Sequence, residues 1–215
     1  MQDMRTLRAL AALLGYPDPQ LLEALPEIAG VLAQSRLMAP EQHGRLRVLL
    51  ADLQAGDGLD IEMRYVDLFD RGRATSLNLF EHVHGESRDR GTAMVELQQI
   101  YAAAGWQLTT GELPDHLPVM LEYLSSRDIG ETRTMLGDCA HILRSIGEAL
   151  VRRGSPYAAV FDALLAIAQA PGLDWDRAGT PPVPEVPIDE DWAEQPAFAP
   201  VDERAGGVPR HRPMT

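Results

Sequence analysis

The 215-residue chain predicts an all-α fold, a single bundle of about eight helices followed by a proline-rich, largely disordered C-terminal tail. Three observations predict it. Apolar residues recur at i, i+3, i+4 and i+7 along the first four-fifths of the chain. No alternating strand pattern or Asn-Gly hairpin interrupts them. Proline and glycine cluster between the periodic sets and then crowd the end of the chain.

Taken in order, Leu7, Leu10, Ala11 and Leu14 form the first helical face, which Gly15 and Pro17 end. Leu21, Leu25, Ile28 and Leu32 form the second. Leu46, Leu49, Leu50 and Leu53 form the third, and Pro40 fits its first turn, where a missing N–H is harmless. Ile61, Tyr65, Leu68 and Phe69 follow, with Asp60 as the expected N-cap. Met94, Leu97 and Tyr101 mark a fifth helix, running from a cap at Thr92 to Gly105 just past its end. Leu117, Met120, Leu121 and Leu124 mark a sixth, capped by Asp115 with Pro118 in the first turn. The longest set is Leu136, Cys139, Leu143, Ile146 and Leu150. Gly154, Ser155 and Pro156 separate it from Val160, Phe161, Leu164, Leu165 and Ala168. These faces are too short and varied for a long coiled coil, and no repeat of fixed period appears.

Composition changes after Ala170, which divides the chain into a helical domain, 1–170, and an acidic tail, 171–215. Nine of the sixteen prolines fall in the tail, spaced so that no helix can persist. Trp175, Trp192 and Phe198 are the tail's candidates for docking on a surface.

The net charge is −13, and both parts share it: 23 acidic residues against 15 arginines in 1–170, and nine against four in 171–215. Nucleic acid and anionic membrane surfaces are therefore poor partners, whereas a basic peptide would be attracted. The chain contains no lysine. That excludes a P-loop and any Schiff-base or pyridoxal chemistry. The single cysteine, Cys139, excludes an internal disulfide and a CxxC metal site, which suits a reducing compartment. No apolar run reaches the length of about eighteen residues that a membrane helix needs. The N-terminal stretch reads as an amphipathic helix rather than a signal peptide, because Asp3 precedes its apolar part and Arg8 interrupts it.

The stretch from Arg64 to Glu122 carries the most information. Its centre combines aromatics, paired histidines and alternating charges with little periodicity, and long segments of that kind inside compact domains are commonly functional. Glu81-His82-Val83-His84-Gly85-Glu86 offers imidazoles and carboxylates, both good ligands for transition metals. In an extended chain His82 and His84 point the same way; in a helix they diverge by roughly 200°. Ser87-Arg88-Asp89-Arg90 places two guanidinium groups around one carboxylate, which predicts an ion-pair latch onto Glu81 or Glu86, or an anion site. Asp115 reads as a cap, and His116 beside it titrates near neutral pH in its ordinary state. No GxSxG elbow and no combination of nucleophile, base and oxyanion donor can be assembled, so the sequence does not read as an enzyme.

Two segments, SLNLFEHVHGESRDRGTAM at 76–94 and ELPDHLPVMLEYL at 112–124, make the chain similar to a known family: the delta subunits, or molybdenum cofactor assembly chaperones, of respiratory nitrate reductase, within the wider group of redox enzyme maturation chaperones. The resemblance extends over 5–170 as a helical pattern. It implies an all-helical, cytoplasmic chaperone that is neither an enzyme nor an integral membrane protein. Such a chaperone binds the N-terminal leader of the apo catalytic (alpha) subunit and promotes molybdenum cofactor insertion before membrane docking. It holds no cofactor stably and has proteins of molybdenum cofactor biosynthesis as further partners.

Carried onto this sequence, the family's motifs mark Tyr65, Asp67, Phe69, Phe80, Glu81, His82, His84, Asp89, Arg90, Pro114, Asp115, His116 and Glu122 as candidate client-binding residues. Tyr65, Phe69 and Phe80 are expected to line an apolar groove, with Glu81, Asp115 and Glu122 on an acidic rim. Two other readings stand beside this one: a chaperone for a related molybdenum enzyme such as a selenate-type reductase, and a metal-binding protein using His82, His84 and His116.

Overall fold

Ten α-helices account for most of the described residues of a computed structural model, which describes residues 2–84, 88–108, 111, 113–177 and 179. They are α1 (Gln2–Leu13), α2 (Pro19–Ala33), α3 (Pro40–Ala55), α4 (Gly58–Tyr65), α5 (Glu81–His84), α6 (Arg88–Ala103), α7 (Leu117–Leu124), α8 (Ile129–Asp138), α9 (Ala140–Arg152) and α10 (Ala158–Ile167). All belong to one unit, Met1–Pro182, and 183–215 lie outside the described residues. The predicted all-α class therefore holds.

Caps fix where several helices begin. Asp18 Oδ1 accepts from the Leu21 N–H at 2.8 Å, and Asp128 Oδ1 accepts from the N–H groups of Gly130 and Glu131 at 2.8 and 2.9 Å. Pro40 occupies the first turn of α3 as expected, and the Gln42 side chain reaches back to the Ala39 N–H at 3.2 Å. Gly105 adopts φ +75, and the Trp106 N–H closes onto the Tyr101 carbonyl at 2.9 Å, so it ends α6 as its sequence position predicts.

α10 is the central rod, buried at every position except Ala166. It packs on α9, α3 and α8, while α2 joins α3 to α1 and α1 lies on α7. The core runs along this chain of contacts through Leu7, Leu14, Leu49, Leu143, Leu150, Phe161 and Leu164, all essentially without solvent exposure. Each such side chain contributes about 1.5–3 kcal/mol relative to exposure, so apolar packing dominates this half of the molecule.

Ten helices replace the expected eight for two reasons. The longest apolar set divides at Cys139, whose backbone (φ −91, ψ 0) ends α8 and begins α9. Leu136 and Leu143 both remain fully buried, so the set records one continuous buried face rather than one continuous helix. The second reason is α5, a single turn in a stretch with no helical periodicity.

Three cap assignments are corrected. Asp57, not Asp60, occupies the N-cap of α4, which continues into a π-helical turn over Val66–Asp70 closed by the Arg71 N–H on the Val66 carbonyl at 3.1 Å. α6 starts at Arg88, which places Thr92 inside it. His116 holds the N-cap position of α7, because the Asp115 carboxylate is engaged elsewhere.

Of the expected tail, 171–177 lie against the bundle. Leu173 fills the notch left by the missing side chain of Gly147, where a Cβ would come within 2.7 Å of it. The Arg45 guanidinium stands 4.4 Å over the Trp175 ring, and Arg144 donates to the Pro171 carbonyl at 2.6 Å. The rest of the tail, with Trp192 and Phe198, lies outside the described residues.

Candidate functional site

Leu77 and Leu79 alternate into the core while Asn78 between them faces His116 in an isolated antiparallel bridge. The Leu117 N–H donates to the Leu77 carbonyl at 2.9 Å, and the Leu79 N–H donates to the Asp115 carbonyl at 3.1 Å. Two buried leucines at a spacing of two thus anchor a polar stretch and bring residues 76–82 against 114–117.

Asp115 lies at the centre, with no solvent exposure. Its Oδ2 accepts the Phe80 N–H at 3.0 Å, just ahead of α5, while its Oδ1 has no hydrogen-bond partner. Burial pushes this carboxyl up; the Phe80 N–H and Arg90 oppose that shift without cancelling it. The position corrects the expectation of a rim: Asp115 is an interior group that organises the loop.

Glu81 forms the outer half. Ser76 Oγ donates to its Oε2 at 2.6 Å, and Asn78 Nδ2 and Arg90 Nη2 donate to its Oε1 at 3.2 and 3.1 Å. Burial by itself raises this carboxyl, but these hydrogen bonds and the Arg90 charge outweigh it and hold Glu81 below the usual carboxylate range. The predicted latch is therefore present as Arg90 on Glu81; Glu86, its alternative acceptor, and the side chain of Arg88, its second arginine, lie outside what the structure describes.

The histidines serve this framework. His82 Nε2 lies 2.9 Å from the Ser76 carbonyl and so carries the proton there. His116 Nδ1 lies 3.2 Å from Asn78 Oδ1, and the His84 ring meets the edge of Phe80 at 5.9 Å. The turn of α5 separates His82 from His84 in direction. Among the described residues, no group of three or more His, Cys, Asp or Glu side chains converges to hold a metal ion. Tyr101 ties α6 to this region: its hydroxyl donates to the Pro114 carbonyl at 2.9 Å and its ring lies 4.6 Å from Tyr123.

Phe80, Glu81, His82, His84, Arg90, Pro114, Asp115 and His116 thus share one neighbourhood, with Asp89 exposed in the first turn of α6. Tyr65 and Phe69 are both buried and stack together at 4.9 Å, each also meeting Tyr157, and the Tyr65 hydroxyl donates to the Leu14 carbonyl at 2.7 Å. Neither lines an open surface. In front of them lies a groove of about 260 Å³ with an apolar floor of Leu53, Ile61, Leu68 and Tyr157. Asp67 and Arg153 stand at this groove, and Asp67 is otherwise occupied by Arg71 at 2.8 Å. Glu122 is exposed on α7, in a shallow hollow with Arg8 and Trp106.

Sequence reasoning gave no site role to Ser76, Asn78, Tyr101 or Tyr157, and read Tyr101 only as part of a helical face. Ser76 and Asn78 lie inside the quoted 76–94 segment, where their place beside Glu81 is a usable signal. Nothing local to Tyr157 announces its contact with Tyr65, 92 positions away in the chain.

Comparison with known proteins supplies the family. A profile described as "Nitrate reductase delta subunit" matches residues 20–163. The chain is 46% identical over 174 residues to the nitrate reductase molybdenum cofactor assembly chaperone NarJ of Escherichia coli K12, covering 81% of this chain and 73% of that one. It is 42% identical over 166 residues to a protein of the same strain described as "Probable nitrate reductase molybdenum cofactor assembly chaperone NarW", covering 77% and 68%. A solved structure from Archaeoglobus fulgidus, described as a "Putative Redox Enzyme Maturation Protein", superposes with a TM-score of 0.54 at 19% identity over 75% of this chain and 90% of that one, and so shares the fold. With its signature loop, helical order and relatives in agreement, the chain belongs to the nitrate reductase delta subunit family.

Proposed function

We propose that the protein is a dedicated, non-enzymatic chaperone of the catalytic subunit of respiratory nitrate reductase, acting in the cytoplasm. It binds the N-terminal segment of the apo subunit, keeps it competent for molybdenum cofactor insertion, and holds it back from the membrane until loading is complete. The observation that carries this reading is the 46% identity, across 81% of the chain, to a relative named for that role. The cofactor goes to the client; the chaperone holds none, and proteins of cofactor biosynthesis are its transient partners. The helical domain, 1–170, does the binding, and the acidic tail, 171–215, follows it in the sequence.

Three features support a peptide as ligand. The groove over Tyr157 has room for one apolar side chain, with Asp67 at its margin and Tyr65 and Phe69 packed behind. The loop of Phe80, Glu81, His82, His84, Asp89, Arg90, Pro114 and His116 offers a partly exposed carboxylate, with Asp115 shaping it from within. Glu122 adds a negative charge on α7. A basic, amphipathic segment satisfies all three, and the net charge of −13 draws it in.

Calorimetric titration with a synthetic N-terminal peptide of the catalytic nitrate reductase subunit from the same genome, at two salt concentrations, tests this. Saturable binding that weakens with salt is expected. Absence of binding, with tight binding of the corresponding peptide from another molybdenum reductase, overturns the assignment of client.

A further inference from the structure

Arg90 is shared unequally between two carboxylates. Its Nη2 lies 3.1 Å from Glu81 Oε1 and 4.0 Å from Asp115 Oδ2. Its Nε is buried without a hydrogen-bond partner, and so is Asp115 Oδ1. A donor and an acceptor, complementary in charge and carried by two neighbouring side chains, are therefore both left unmade inside the protein. Buried groups of this kind are costly, and a guanidinium and a carboxylate form a two-pronged pair when nothing competes. Glu81 is the competitor. It already receives Ser76 on Oε2 and Asn78 on Oε1, so it would keep one hydrogen bond on each oxygen if Arg90 left, with the second acceptor position of Oε1 opened to a new donor.

We infer that Glu81 is a binding site for a cationic side chain of the client, a guanidinium or ammonium group, and that Arg90 occupies it until the client arrives and then moves onto Asp115. The inference rests on the chaperone reading for the identity of the client, not for the exchange itself. Glu81 is reachable, with its side chain 28% exposed, whereas Asp115 is sealed. An incoming cation therefore meets Glu81 and cannot meet Asp115. Displaced Arg90 gives the buried carboxylate the second bond that it lacks, so two unmade interactions are completed in one step. The other titratable side chains near the exchange each have a partner: His116 Nδ1 lies beside Asn78 Oδ1, His82 Nε2 beside the Ser76 carbonyl, and the Tyr101 hydroxyl donates to the Pro114 carbonyl.

Carboxyl 13C NMR titration of Asp115 in the full chain decides the matter. It is run on the free protein, on E81Q, and on wild type saturated with the basic N-terminal peptide of the proposed client. Asp115 is expected to titrate high in the free protein and to fall below the usual carboxylate range in the other two states, where Arg90 has moved onto it. An unmoved Asp115 in E81Q overturns the exchange. A peptide that binds wild type while Asp115 stays high also overturns it, and leaves the chaperone reading standing. A peptide that fails to bind counts against the proposed client, and the E81Q titration still decides whether Arg90 moves. R90Q provides a second readout: with the internal occupant gone, affinity for the basic peptide rises about fivefold. A fall in affinity in folded R90Q would show Arg90 to be a strut for the loop, and overturn the proposal.

Discussion

Around α10 nearly every side chain is apolar and buried, whereas between Ser76 and His116 order comes from polar atoms. Phe161, Leu164 and Leu165 have no exposure, on a helix that packs against three others. The loop instead rests on two leucines, with a buried aspartate and a carboxylate holding three hydrogen bonds around them. Packing is non-directional and tolerates many sequences of similar volume. A polar network fixes geometry residue by residue and fails when one member is lost. The packed scaffold therefore tolerates substitutions of similar volume, while the loop depends on particular side chains.

The largest effect expected on the packed side is from Phe161→Ala. It leaves a cavity at the centre of the bundle and should cost about 3–5 kcal/mol in chemical denaturation, with peptide affinity unchanged in the fraction that stays folded. An affinity loss matching the stability loss would show that the two regions are one cooperative site, and erase the contrast.

Asp162 lies between the two regimes, a buried carboxylate inside the apolar core. It accepts from Arg45 at 2.6 Å, from Gln42 at 3.1 Å and from the Leu173 N–H at 3.3 Å. Asp162→Ala leaves Arg45 and that N–H unpaired. Because Arg45 is 34% exposed, water recovers part of the loss, and a cost of about 2 kcal/mol is expected. Hydrogen exchange should accelerate at 171–177 before anywhere else. Uniform acceleration would mean that Asp162 supports the core rather than the segment crossing it.

In the loop the comparison can be sharpened with pH, because its two carboxylates have opposite signs. Glu81 is lowered in the folded state, so its contribution is present above the unfolded value of about 4.3 and is lost as pH falls through the folded value. Asp115 is raised, so its contribution is present below about pH 3.9 and is lost as pH rises through the folded value. E81Q should therefore cost about 1 kcal/mol at neutral pH and almost nothing once wild-type Glu81 is protonated. D115N, which removes the buried charge, should destabilise least at neutral pH and most in acid. Parallel pH profiles for the two variants would refute the division of labour between them.

Legibility divides along the same line. The helical faces were readable because burial imposes a period on apolar residues, and seven of the eight sets coincide with one helix each, the fourth running on into the π turn. The break at Cys139 was not readable, since Leu136 and Leu143 stay in phase across it. The Arg90–Glu81 latch was visible as charges flanking a helix start. Asp115 was misplaced because its residue type and position suit an N-cap, and only a contact with Phe80, 35 residues away, makes it an interior acceptor. Tyr65 and Phe69 were expected at a surface because aromatics beside a polar loop suggest a groove; their burial against Tyr157 depends on long-range packing that no local pattern encodes.

The smallest effect expected is at Cys139, which joins the two halves of the longest buried face. The thiol is half-buried, and burial together with nearby Asp138 pushes its pKa up to about 11. Only the thiolate reacts with disulfide reagents. At neutral pH the thiolate fraction is then lower by about two orders of magnitude than for a free cysteine. Native protein should label with a disulfide reagent at least that much more slowly than denatured protein, and Cys139→Ala should leave client affinity untouched. Fast labelling of the native state would place Cys139 in a mobile joint between α8 and α9. The packed half would then contain a flexible element of its own, and the contrast with the polar loop would be one of degree.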